Sequence, residues 1–170
     1  PLISGRANIG WLENVSEKYF TSPVDTALSL GCGGGGLERH AADLKIAQNF
    51  VAYDVSEGAV ELAKNLAKKR GLRNLTYRVA DLNTLVHPEN SYDVVFASQS
   101  LHHIESLEFY LDQVERTLKP NGLFIINEFV GPNQFQWTDL QVRHAQLLLE
   151  TIPERYRQII QGHGLKKEIA

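Results

Sequence analysis

The run LSLGCGGGG at positions 28–36 limits what this chain can become more than any other stretch. An apolar segment, Thr26–Leu30, leads into Gly31, Gly33, Gly34, Gly35 and Gly36, and a helical pattern over Leu37–Leu44 follows. Glycine loses more backbone freedom on folding than any other residue, and a plain turn needs only one or two, so four in a row indicate a further demand. Without a Cβ the main chain can take positive φ and a ligand can lie directly against it. A strand, a glycine loop and a helix in this order put that ligand at the carboxyl edge of a parallel sheet, where open α/β sheets bind ligands. The spacing Gly31-x-Gly33-x-x-Gly36 also meets the dinucleotide fingerprint, so the loop alone does not separate one nucleotide cofactor from another.

The rest of the chain supplies the sheet. Asn49–Val55 (NFVAYDV) reads as a second strand, Leu75–Val79 as a third and Gly122–Phe129 as a fifth. The fourth, Tyr92–Ser98 (YDVVFAS), is apolar enough to be buried on both faces. Ser56 is placed to cap a helix whose buried face would be Ala59, Leu62, Ala63, Leu66 and Ala67, with Gly71 as its stop. Leu107, Leu111, Val114 and Leu118 line another helix, ended by Lys119-Pro120-Asn121-Gly122. Strands alternating with helices predict an α/β fold with a doubly wound, mostly parallel sheet. Extra helices are expected at both ends: within Leu2–Phe20, over Thr138–Leu149 capped by Thr138, and over Pro153–Gln161 capped by Thr151. No linker divides the chain, so one domain over 1–170 is expected, with a helical segment at 1–22, a core at 23–130 and a helical segment at 131–170.

Composition narrows the function classes. A chain of 170 residues, 43% hydrophobic and 22% charged, fits an ordinary globular domain. Its net charge of −3 gives no electrostatic reason to expect a nucleic-acid partner. Lys64, Lys68, Lys69, Arg70 and Arg73 do cluster, and read as a solvated helix face running into a turn. Cys32 is the only cysteine, which excludes an intramolecular disulfide and argues against a cysteine metal site. No apolar run nears the roughly 20 residues that span a bilayer, and no signal-peptide pattern is visible. A cytoplasmic protein without a membrane partner is therefore expected. The chain starts at Pro1 and has no methionine, so it is read as a piece of a longer one.

Asp54 ends the second strand, beside the glycine loop if the strand order is the usual one. A carboxylate there can accept hydrogen bonds from both hydroxyls of a ribose, although a solvated strand-end aspartate would look the same in sequence.

Taken in order, LSLGCGGGG (28–36), VAYDVS (51–56), ADL (80–82), YDVVFASQSLHHI (92–104) and LKPNGLFIINEF (118–129) resemble the class I S-adenosylmethionine-dependent methyltransferases, especially their small-molecule branch. The resemblance covers roughly residues 24–130. It implies a Rossmann-like core with strand order 3-2-1-4-5, S-adenosyl-L-methionine as cofactor and a small-molecule methyl acceptor. It would set Gly31, Cys32, Gly33 and Gly35 against the methionine and ribose part of the cofactor. Asp54 would hold the ribose hydroxyls and Val55 would flank the adenine. Asp81 and Leu82 would sit at the adenine, Asp81 accepting from its exocyclic amine, and Ser98 and Gln99 would floor the site beneath the sulfonium. The chain departs from the family pattern twice. Ser29 stands where an acid usually precedes the first loop glycine by two positions, and of the two terminal strands of the family's sheet only Leu165–Ile169 offers a start after Phe129.

Methyl transfer is an in-line displacement at carbon, and positioning alone can contribute about 7–11 kcal/mol to it. A general base is needed only when the acceptor must lose a proton. His102 and His103 follow the fourth strand and suit that role near neutral pH, with one of the two facing the pocket; the other reading is that they hydrogen-bond backbone and shape the loop. Adjacent histidines rarely chelate one ion, and no metal is expected. Glu128 either faces the acceptor or caps a neighbouring loop. Phe129–Trp137 either walls the acceptor pocket or covers the core, and Trp11, Tyr19 and Phe20 either close the cofactor site or simply pack. The expected reaction is methyl transfer to an O or N atom of a small molecule. Two alternatives stay open: a non-catalytic cofactor-binding or scaffold protein of the same fold, and an NAD-dependent oxidoreductase. Against the latter stand LHHI, LKPNG and the lack of a Tyr-x-x-x-Lys set for hydride transfer.

Overall fold

Apolar strands bounded by glycine and polar turns assemble as their pattern predicts. In a computed structural model of the chain, residues 5–131, 137–161 and 165–168 are described. Their contacts fall into two units, one reaching Phe129 and one beginning at Val130. In the first unit β1 (Val24–Leu30), β2 (Ala47–Asp54), β3 (Leu75–Val79), β4 (Tyr92–Ser98) and β5 (Leu118–Asn127) form one parallel sheet. Its order is β3-β2-β1-β4-β5, as the resemblance implies.

The central strand β1 pairs with β2 and β4, Leu28 lying level with Val51 and Val95. Strand residues alternate between faces, and β1 is buried on both. Leu28 and Leu30 join Val95, Ala97, Tyr110 and Val114 in one core. Ala27 joins Leu12, Ala41, Phe50, Val94 and Phe96 in the other, extended by Ala52, Val60, Ala63, Ala67 and Tyr77. Helices α1 (Trp11–Tyr19), α2 (Gly36–Asp43) and α3 (Glu57–Lys69) therefore cover one face, and α4 (Leu107–Thr117) the other. Ser29 shares the parity of Ala27 and points toward α2.

Several sequence expectations need correction. Only Trp11–Tyr19 of the N-terminal segment is helical among its described residues. The Ser56 hydroxyl caps α3 by accepting from the Ala59 N–H, but the buried face is Val60, Ala63 and Ala67, while Leu62 is 53% exposed. In α4 the buried residues are Tyr110, Gln113, Val114 and Thr117; Leu107 and Leu111 are exposed. Leu118 already belongs to β5, and the Lys119–Gly122 turn sits inside that strand as an irregularity. Pairing there jumps from Tyr92–Leu118 to Val94–Leu123.

In the second unit α5 (Asp139–Thr151) begins with a capping box between Thr138 and Gln141. The helix expected over Pro153–Gln161 is instead a 3₁₀ turn, Glu154–Tyr156, followed by β6 (Gln158–Gln161), which pairs antiparallel with β7 (Leu165–Glu168). The β-branched pair Ile159-Ile160 favours extended backbone, and pairing to β7 outweighs the local helical signal. Much of the expected aromatic wall, residues 132–136, lies outside the described residues.

At the end of the sheet remote from the glycine loop, Asp93 ties three strands together. Its carboxylate accepts from the Thr26 N–H at 2.8 Å, the Thr26 hydroxyl at 3.0 Å and Lys119 Nζ at 2.9 Å. Burial pushes the Asp93 carboxyl up, but Lys119 and Thr26 outweigh it and hold it below its ordinary value. A depressed carboxylate stabilises the fold above its unfolded pKa of about 3.9 and loses that contribution as pH falls through the folded value. Asp93→Asn is expected to destabilise the protein by about 1.5–3 kcal/mol at pH 7. In melts run from neutral to acid pH, its deficit should shrink once the pH drops below about 4.

Candidate active site

The carboxyl ends of β1, β2, β3 and β4 open onto a cleft of about 600 Å³. That size suits a cofactor-sized ligand. Gly31, Gly33, Asp54, Val55, Asp81, Leu82, Gln99 and His103 line it, together with Asn83, Ser100 and Ile104, which the sequence reading did not single out.

The glycine loop forms one wall. Gly31 has φ +69°, and a Cβ added there would sit 2.4 Å from Ser100 Cβ, so the two loops touch only because position 31 is glycine. Gly33 has φ +50°, yet a Cβ there would meet nothing within 4 Å, so that side of the loop is open. Asp54 braces the loop: Oδ2 accepts from the Gly33 N–H at 2.8 Å and Oδ1 from the Ser56 N–H at 2.9 Å. A carboxylate has about four acceptor positions, so Asp54 retains capacity for two hydroxyls.

The opposite rim is built from the segments after β3 and β4. Asp81 Oδ1 accepts from the backbone and side-chain N–H groups of Asn83, at 2.9 and 3.0 Å. Asn83 Oδ1 in turn accepts from the Glu105 N–H at 2.8 Å, which ties this rim to the start of α4. Leu82 is buried and Ile104 packs beside it in the same core. Gln99 takes φ +54°, unusual for a residue with a side chain, and is fixed there by its N–H to the Asn127 carbonyl at 2.8 Å. Such a conformation persists only where its surroundings impose it.

Glu128, just past β5, organises the histidine loop. Its Oε2 accepts from the N–H groups of Ser100 and Leu101, both at 2.9 Å, and its Oε1 lies 2.8 Å from His102 Nδ1. Burial pushes this carboxyl up, but the bonds from His102, Phe129 and Leu101 outweigh it and hold it below its ordinary range. His102 packs against His103 with ring centroids 4.0 Å apart, and it is His103 that lines the cleft.

Four other sequence candidates fall outside the lining, His102 among them. Cys32 is buried beneath the loop, its thiol pushed up to about 12 by burial and then by Glu38 and Asp54. Gly35 is the N-cap of α2. Ser98 lines a separate cavity of about 380 Å³ with Trp11, Leu37 and His40. Trp11 and Phe20 pack against the core and Tyr19 is exposed. The placement of Ser100 was not legible in sequence, because its N–H is held by Glu128, which lies 28 residues further on.

Among the described residues no helix is long and apolar enough to cross a membrane, and no group of three or more His, Cys, Asp or Glu is arranged to hold a metal ion. Comparison with known proteins agrees with the fold. Sterol 24-C-methyltransferase ERG6B of Gibberella zeae is 32% identical over 129 residues, 75% of this chain and 34% of that protein. Phosphoethanolamine N-methyltransferase 1 of Arabidopsis thaliana is 30% identical over 74% of this chain and 26% of its own length. The chain thus spans about a third or less of these two relatives. The crystal structure of an S-adenosylmethionine dependent methyltransferase from Mesorhizobium loti matches with a TM-score of 0.56 and 28% identity, covering 62% of this chain and 46% of that one. The family described as "Methyltransferase domain" matches residues 28–126, more than half of the sequence. The chain belongs to that family, among the class I S-adenosylmethionine-dependent methyltransferases.

Proposed function

We propose that this chain binds S-adenosyl-L-methionine in the glycine-loop cleft and directs its methyl group to an O or N atom of a small molecule. The observation that carries the reading is Asp54, anchored by Gly33 and Ser56 on the cleft wall with acceptor capacity left for a ribose. The other lining fits the remainder of such a ligand. Val55, Leu82 and Ile104 offer an apolar slot for a purine, and Asp81 and Asn83 offer polar groups at its edge. When bound, the cofactor supplies a methyl activated by its sulfonium. The protein positions the ligand, excludes water and accepts a proton where the acceptor has one to lose.

His103 is the proposed base, since it lines the cleft, and His102 held by Glu128 buttresses it. A proton acceptor at this point favours an oxygen or nitrogen acceptor. The names of the two relatives put their methyl groups on carbon 24 of a sterol and on nitrogen, so a family name does not decide the atom.

Calorimetric titration tests the reading. S-adenosylhomocysteine is expected to bind saturably and raise the melting temperature, while NAD does neither; binding of NAD alone would overturn the cofactor reading. With labelled cofactor and a panel of small amines and alcohols, His103→Ala is expected to lower turnover about 10²- to 10⁴-fold with cofactor affinity nearly unchanged. If the histidine variants at 102 and 103 both retain full turnover, neither is the base.

A further inference from the structure

The connection between β3 and β4 contains neither helix nor strand, yet its first residues wall the cleft. Of residues 81–91 only Leu82 and His87 are buried. Leu85 is partly buried, Val86 is 66% exposed, and Pro88, Glu89 and Asn90 are exposed as well. The middle of the segment is therefore held by one buried imidazole and by the Thr117 hydroxyl, which donates to the Pro88 carbonyl at 2.6 Å. Segments with so few buried contacts open at lower cost than the strands they join.

His87 is seated among three phenols, one from each element packed against it. Its ring meets Tyr53 of β2, Tyr92 of β4 and Tyr110 of α4 edge-on, with centroids 5.6, 6.5 and 6.2 Å apart. Nε2 lies 3.4 Å from the Tyr110 hydroxyl, and Nδ1 has no hydrogen-bond partner among the described residues. This seat does not suit a positive charge. Tyrosine stays neutral to about pH 10, and burial pushes the hydroxyls of Tyr92 and Tyr110 higher still. Glu89, two residues on, is exposed and paired with Arg116 of α4. Arg78 of β3, which acts on Tyr92, is itself a cation. Whichever nitrogen carries the proton of the neutral ring, protonation adds a second N–H. The Tyr110 oxygen can accept from one, and the other is left buried without an acceptor. Burial accordingly pushes the imidazole below its ordinary value.

We propose that His87 is a proton-sensitive anchor: neutral, it holds the segment between β3 and β4 on the sheet, and on protonation it leaves its seat and loosens the Asp81–Asn83 wall of the cleft. Leu82 then remains as the one fully buried side chain of the segment. The open segment takes up its proton at the ordinary histidine value of about 6.5, whereas the seated ring resists it. The open form thus binds more protons than the closed one. Closure is at full strength above about pH 6.5 and weakens as pH falls below it, by up to about tenfold per pH unit.

Amide hydrogen exchange, corrected for the intrinsic effect of pH, tests this without a ligand, so its outcome is independent of the cofactor reading. Two amides report on the wall: Leu85, which donates to the Asp81 carbonyl at 3.0 Å, and Glu105, which donates to Asn83 Oδ1 at 2.8 Å. Both are expected to be less protected than the amides of β1. Their protection should fall about five- to tenfold between about pH 7.5 and about pH 5.5. His87→Phe, which fills an aromatic seat without a titrating group, should hold the change within about twofold. His87→Gln keeps a polar partner for Tyr110 and serves, with the same expectation, if the phenylalanine variant does not fold. Protection that is constant with pH in the unaltered chain, or that falls equally in the variants, would overturn the proposal. So would opening of Leu85 and Glu105 only together with β1, or a His87 ring that titrates near 6.5 by NMR while both amides stay protected.

Discussion

Replacing Asp54 by alanine is expected to weaken binding of S-adenosylhomocysteine by about 1–3 kcal/mol, roughly 5- to 150-fold. Two effects add. The variant removes the acceptor proposed for the ribose hydroxyls. It also leaves the N–H groups of Gly33 and Ser56 without their carboxylate, which loosens the loop that forms the cleft wall. Asp54→Asn separates them, since an amide keeps one acceptor oxygen but loses the charge. It should fall between the wild type and the alanine variant. Calorimetric titration of the three proteins measures the series. Unchanged affinity in the alanine variant would remove Asp54 from the ligand site.

Gly31→Ala is expected to cause the larger loss of stability, about 2–4 kcal/mol, from a left-handed backbone that alanine resists and a steric overlap. The new methyl would sit 2.4 Å from Ser100 Cβ. Ser100 cannot step aside easily, because it is buried and its N–H is held by Glu128. A melting temperature lowered by about 5–15 °C is the expected reading for a protein of this size. Gly33→Ala is the informative partner. Its Cβ meets nothing within 4 Å, so it should cost about 1–2 kcal/mol for the backbone alone while adding a methyl to a residue that lines the cleft. Stability should suffer most at position 31 and cofactor affinity, relative to stability, most at position 33. Equal melting temperatures for the two variants would contradict the close packing of the glycine and histidine loops.

What the sequence reveals follows from how local each signal is. β3 and β4 match their predicted ends because each is a short apolar run closed by turn residues. The face of α3 is misread because its alanines satisfy two overlapping helical stripes, and Leu62 lies on the one that meets solvent. The face of α4 is misread for a related reason: leucine spacing suggested Leu107 and Leu111, while Tyr110, Gln113 and Thr117 hold the buried positions. Gly31, Gly33 and Asp54 were legible as lining because each stands at the carboxyl end of a strand or in the loop beyond it, whereas Asp81 was indicated only by the family resemblance. Asn83, Ser100 and Ile104 were not, since loops carry no period and their placement depends on contacts with distant residues. The burial of Glu38 was hidden for the opposite reason: an acid in a first helical turn normally faces water, and only the Ser29 contact shows that this one faces inward.

A single carboxylate latches two things that could otherwise shift separately. Because Glu128 grips the Ser100–Leu101 backbone with one oxygen and the His102 ring with the other, the floor of the cleft and the aim of the imidazole pair cannot drift independently. Acid strong enough to discharge Glu128 would release both together, so the site would fail in one concerted step rather than wear away piece by piece.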